Sequence, residues 1–222
     1  MATERDGDRL IGLAFDRPLR SVTCLGAHPD DIEIGCAALL LRLAGESPET
    51  SFRFVVLTSD DRRAEEARQS AVDLLGERVE IALGGFEDGY LPYRQPGVVK
   101  DFLVGAVDPA GTDLVLAPRA DDLHQDHRFV AELALQVFRR HLILGYEIPK
   151  YDGDLGPAQL YLPISSDEVE VKLTHLEQHF VSQHTKPWYA RDVFSGLLAL
   201  RGAESGGDGY AEAYQMAKAR LG

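Results

Sequence analysis

The chain has 222 residues, 45% hydrophobic and 27% charged, and its 23 Lys and Arg against 36 Asp and Glu give a net charge of −13. A chain of this size can bury a full core without staples, and its composition excludes collagen, coiled coil and whole-chain disorder. No apolar run approaches ~18 residues, so no membrane insertion is expected, and so acidic a chain is a poor partner for nucleic-acid phosphates or anionic lipid.

Residues 1–20 form a polar lead-in, and residues 21–222 are expected to form one α/β domain. The acidic start MATERDGDRL lacks the apolar stretch of a signal peptide, and Cys24 and Cys36 are too few for a disulfide framework, so a cytoplasmic setting is expected. Residues 21–27 (SVTCLGA) have the pattern of a buried strand, 34–44 of a helix stopped at Gly45, and 52–58 (FRFVVLT) of a second strand. A helix over 62–75 ends at Gly76, a strand covers 79–83, Gly84-Gly85 reads as a turn, and Pro96 opens a helix to 107. A fourth strand covers 113–117 and a helix 127–140, the latter with apolar residues at 130, 133, 134, 137 and 138. Strands at 141–148 and 159–164 follow, then a helix over 166–180 opened by the Ser165-x-x-Glu168 capping box. Two more helices are expected, near 188–200 and from Tyr210. His175, His179 and His184 read as surface or packing residues, and both cysteines as small buried hydrophobes.

This alternation predicts a Rossmann-like, doubly wound, mostly parallel sheet with helices on both faces. Ligands of such sheets sit beyond the carboxyl ends of the strands, at the point where strand order reverses. With strands ordered 3-2-1-4, two loops meet there. The first is Ala27-His28-Pro29-Asp30-Asp31, and the second holds His124-Gln125-Asp126-His127. No G-x-G-x-x-G follows the first strand, which disfavours a dinucleotide.

A catalytic zinc takes three ligands from His and carboxylate and keeps one position open. One His and one Asp from the first loop, with one His from the second, complete a His2Asp set. A second carboxylate beside them suits a general base, and a further His suits an oxyanion donor. Alone, HPDD also fits a turn or helix cap, and HQDH a solvated helix start. Their coincidence at one switch point favours a metal centre. Fe2+ or another divalent ion suits these donors as well as Zn2+.

The segments AHPDDIEIG, LTSDDRRAEEAR, GGFEDGYLP, HQDHR and GYAEAY resemble the PIG-L/LmbE-like family of zinc-dependent de-N-acetylases, over nearly the whole chain. The resemblance implies His28, Asp31 and His127 as metal ligands, Asp30 as general base and His124 as oxyanion stabiliser or proton donor to the leaving amine. It also implies Asp126 as a residue orienting a neighbouring histidine, and Arg63 (with Arg62 as the other option) and Asp88 as substrate-binding residues. The expected activity is metal-dependent removal of an N-acetyl group from an N-acetylglucosamine-type sugar or glycoconjugate. The rivals are an amidase of thiol conjugates or natural-product acyl amines, and a metal- or carbohydrate-binding module without turnover. Asp30 favours an enzyme, because a binding module has no use for a spare carboxylate beside the ligands. The expected partner is a small N-acetylated sugar or amine, and the resemblance also implies a homo-oligomer. Glu147, Lys150, His184 and Trp188 are left without an assigned role.

Overall fold

In the computed structural model, which describes residues 12–216 and 219, strands and helices alternate through the first half. They are β1 (Ser21–Gly26), α1 (Asp31–Glu46), β2 (Ser51–Thr58), α2 (Asp61–Leu75), β3 (Val79–Phe86), α3 (Pro96–Ala106), β4 (Leu114–Pro118) and α4 (Gln125–Val137). Next come β5 (Leu142–Tyr146), β6 (Leu160–Ile164), α5 (Ser166–His179), α6 (Arg191–Glu204) and β7 (Tyr210–Met216). The seven strands form one sheet in the order β3-β2-β1-β4-β5-β7-β6. The first five in that order are parallel, and β7 runs antiparallel to both of its neighbours.

Successive strand residues point to opposite faces, and both faces here are apolar. Val22, Phe54, Val56, Leu114 and Leu116 pack with α1, α2, α5 and α6, while Leu25, Val55, Leu57, Val115 and Ala117 pack with α3 and α4. The fold is therefore the doubly wound α/β sheet that the alternation predicts. At the N-terminal edge, Leu19 is buried and Arg17 pairs with Asp113 at 2.5 Å, so the end of the polar lead-in is tied to the sheet.

Several expectations are corrected. The segment from Tyr210 is the strand β7, not a helix. Its alternation of small and aromatic residues, Ala211, Ala213 and Tyr214, fills a sheet position between β5 and β6. Gly84 and Gly85 are not a turn but the end of β3, where the pairing with β2 shifts register. A Cβ on Gly84 would stand 2.6 Å from the Leu57 carbonyl, and Gly85 has φ +64°, so glycine is what lets the strand continue. Helices α1 and α4 start at Asp31 and Gln125, ahead of the expected 34 and 127. The polar first turn of α4 (QDHR) and the acids interleaved with Ile32 and Ile34 in α1 conceal these starts, although Asp31 and Asp126 are favourable beside free helix N–H groups.

Helix α1 breaks its regular geometry at Cys36 (φ −148°, ψ 20°). The backbone N–H groups of Ala38 and Leu39 donate instead to the Glu212 carboxylate of β7, each at 2.9 Å. Glu212 also accepts from Lys172 of α5 at 2.6 Å and from the Tyr214 hydroxyl at 2.7 Å, and both members of the Glu212–Lys172 pair are buried. One carboxylate thus joins α1, α5 and β7. Glu212→Ala should lower unfolding free energy by ~3–5 kcal/mol, because it strands a buried ammonium and two amides. Glu80→Ala, which removes the exposed partner of Arg53, should cost no more than ~1 kcal/mol, and urea titration of both variants measures the difference.

Candidate functional site

Strands β1 and β4 lie side by side at the centre of the sheet. The loop after β1 carries His28, Asp30 and Asp31, and the turn into α4 carries Asp122, His124, Asp126 and His127. Asp31 bends its carboxylate back to accept from the N–H groups of Ala27 (2.9 Å) and His28 (2.8 Å), which fixes the first loop.

Three atoms converge as a result. His28 Nδ1 and His127 Nε2 are 3.0 Å apart, and each is 3.4 Å from Asp31 Oδ2. All three side chains are almost wholly buried. The distal nitrogens are engaged elsewhere: His28 Nε2 lies 2.9 Å from Asp88 Oδ1, and His127 Nδ1 lies 3.0 Å from Asp122 Oδ2. A histidine that donates its far N–H to a carboxylate turns its near nitrogen toward the centre as a bare lone pair. Two lone pairs and a carboxylate oxygen facing one another call for a cation. Ligands at ~2.0–2.1 Å around a tetrahedral ion stand about 3.3 Å apart, so the donor triangle fits such an ion.

The electrostatics agree. Burial alone would push the Asp31 carboxyl up, but the flanking His127 and His28 outweigh it and hold Asp31 well below the usual carboxylate range. Burial opposes the charged form of both imidazoles, yet Asp31 with the outer carboxylates raises His28 well above the ordinary value and His127 above it. The field that favours a proton on these rings favours any cation among them.

The remaining residues singled out in the sequence gather around this triangle. Asp30 Oδ1 accepts from the Arg63 guanidinium at 2.7 Å, while its Oδ2 is buried without a partner. Burial raises the Asp30 carboxyl, with Arg63 pulling the other way. Arg63, not Arg62, is the arginine turned inward: Arg62 is exposed and lies 3.7 Å from Glu66. Asp88 sits against His28, with its second oxygen 3.7 Å from Arg63, and the His28 hydrogen bond draws its carboxyl down to about 2. His124 caps α4, its Nδ1 accepting from the Asp126 N–H at 3.3 Å, and burial lowers its pKa, as do His127 and His28. Asp126 lies beneath the site, accepting from the N–H groups of Gly89 (2.6 Å) and Leu91 (3.1 Å) and standing 3.5 Å from His28. It fastens the loop that carries Asp88.

Asp122 is a functional-site residue that the sequence reading missed. Burial would raise its carboxyl, but His127 and Lys150 bring it down to about 2. The Lys150 ammonium lies 3.0 Å from Asp122 and 2.7 Å from Asp154. The available signal was the Asp121-Asp122 pair just ahead of HQDH. Lys150 also lines the cleft over the triangle, a space of about 180 Å³ reached past Tyr151, Asp152, Lys186 and Trp188. Glu147 and His184 do not line it: Arg201 holds Glu147 at 2.6 and 2.8 Å, and the His184 ring stands 6.1 Å from that of Tyr189.

Comparison with known proteins bears on this geometry. Residues 23–138, more than half the chain, match the family described as PIG-L: GlcNAc-PI de-N-acetylase. The uncharacterized deacetylase YaiS of Escherichia coli (strain K12) is 30% identical over 172 residues, 72% of this chain and 90% of that protein. Among solved structures, N,N'-diacetylchitobiose deacetylase from Pyrococcus horikoshii superposes with a TM-score of 0.67 at 21% identity, over 89% of this chain and 84% of that one. The 4-carboxy-2-hydroxymuconate hydratase GalB of Pseudomonas putida KT2440 gives 0.71 at 15% identity, over 92% and 98%. At those identities the structural matches speak for the fold alone, and one fold evidently carries more than one chemistry. The family match and the curated relative speak for descent, and they make this chain a member of the PIG-L de-N-acetylase family.

Proposed function

We propose that the chain is a metal-dependent amide hydrolase that removes the acetyl group from an N-acetylglucosamine-type sugar or glycoconjugate, with His28, Asp31 and His127 holding the ion. The observation that carries this reading is Asp30: a carboxylate oxygen buried without a partner, next in sequence to the ligand Asp31. A divalent ion held there would supply a Lewis acid for the amide carbonyl and an acidified water. Asp30, which lines the cleft, takes a proton from the attacking water on Oδ2, and Arg63 anchors its other oxygen. His124 uses Nδ1 as acceptor from the Asp126 N–H, so in its neutral form Nε2 carries the proton and donates to the developing oxyanion. Water adds to the carbonyl, the C–N bond breaks, and acetate and a free amine leave, the amine carrying the proton that Asp30 accepted.

Support for a sugar comes from the description of the matched family and from the cleft. The space is smaller than the ~300–1,000 Å³ of drug-sized pockets, and suits an acetamide with part of one ring. Tyr151 and Trp188, with ring centroids 6.4 Å apart, offer flat apolar faces at its mouth. The test is metal analysis together with acetate release from a panel of N-acetylated sugars and from a minimal acetamide.

Asp30→Asn should keep its metal and lower kcat by ~10²–10⁴, whereas Asp31→Asn should lose metal; the reverse pattern would exchange the two roles. Asp122→Asn should weaken metal affinity ~10–100-fold through loss of the His127 hydrogen bond, as read by competition with a chelator. Arg63→Ala removes the charge that lowers the Asp30 pKa. Because the base works deprotonated, activity falls as pH drops through its pKa. The acid limb of kcat/KM should therefore move to higher pH in Arg63→Ala, on sugar and minimal acetamide alike. An unmoved limb would leave Arg63 with the sugar alone.

A further inference from the structure

We propose a second divalent-metal site of the zinc type at the junction of α2 and α5, held by Asp73, His175 and His179 and independent of the centre at the strand ends. His175 and His179 stand one turn apart on α5, with ring centroids 4.4 Å apart and planes inclined by 38°. Asp73, facing them from α2, places Oδ2 3.0 Å from His179 Nε2 and 3.7 Å from His175 Nδ1. One ligating atom from each residue falls within 4.8 Å of the other two. Histidines at i and i+4 share a helix face, and two imidazoles with one carboxylate select zinc-like ions over magnesium or calcium.

The far side of His175 is built as a ligating histidine requires. Its Nε2 lies 2.9 Å from Ser70 Oγ, and that hydroxyl reaches Glu33 Oε1 at 2.5 Å. An imidazole with a proton on one ring nitrogen keeps the other bare. When Nε2–H donates to Ser70 and Ser70 donates to Glu33, the bare atom is Nδ1, which faces Asp73 and His179. A metal on Nδ1 selects this tautomer, with Ser70 as the outer partner that fixes ring orientation. The site has an entry path, because Asp73 and His179 line a groove open to solvent. Arg68, which also lines it, lies 3.8 Å from Glu65. None of the three donors lines the catalytic cleft, so the ion has no part in the reaction. It staples α2, the helix that carries Arg63, to α5, and favours the folded chain by mass action.

The test uses equilibrium dialysis against micromolar free zinc, followed by metal analysis, in a His127→Ala background that disables the other centre. Adding His179→Ala or Asp73→Asn should remove about one zinc per chain. Asp73 is exposed and His179 ends its helix, so both variants should fold, which circular dichroism checks. The zinc-induced rise in Tm should shrink in both. Zinc content and Tm response unchanged by either substitution would overturn the site.

Discussion

Two imidazole nitrogens and a carboxylate oxygen are held 3.0–3.4 Å from one another inside the protein, a convergence that a positive charge among them, proton or metal ion, would stabilise. The rest of the site is arranged to keep them there. Asp88 and Asp122 hold the outer nitrogens, Asp126 ties down the loop that bears Asp88, and Lys150 balances Asp122. Outward from the inner donors come the outer carboxylates Asp88 and Asp122, then Arg63 and Lys150. Removing one layer leaves the next with uncompensated buried charge, which costs several kcal/mol per ion. Such an assembly needs rigid support, and central parallel strands provide it. β1 and β4 are buried on both faces and end side by side.

The same layering separates Asp30 from Asp31. They are neighbours in sequence and both buried, yet burial raises one while two histidines hold the other far down. Environments that push adjacent carboxylates apart in pKa fit one loop to two different roles, as the proposed ligand and base require. The chain's overall charge of −13 gives no hint of this. The acids at the cleft share a few local partners, Arg63 standing between Asp30 and Asp88 and Lys150 between Asp122 and Asp154.

Much of this was legible in the residues. The order of β1 to β4 and the meeting of two loops follow from apolar runs and chain alternation, because handed crossovers leave few other topologies. The identities of HPDD and HQDH carry the inner donors. What escaped was set by tertiary context. β7 has a weak pattern of its own and becomes a strand only by slotting between β5 and β6. Asp88 was expected as a substrate-binding residue, but its hydrogen bond to His28 spans 60 positions of chain and is visible only in the fold. Asp122 and Lys150 are 28 apart, each unremarkable alone. His175 and His179 read as packing residues because Asp73, which gives them a chemical meaning, lies on another helix.

Glu212 reaches across the fold to cap the irregular turn of α1, the helix whose first residue is Asp31. That contact spans more than 170 positions of the chain. Every residue of the donor triangle has left the ribosome well before Glu212 does. Until the final strand inserts between β5 and β6, two amides behind the site lack their acceptor and Lys172 lacks its counter-ion. A nascent chain stopped at the end of α4 would therefore hold all three inner donors while Ala38 and Leu39 of α1 still lacked the Glu212 acceptor. Synthesis order thus places β7, made after every inner donor, as the element that completes the support behind the site.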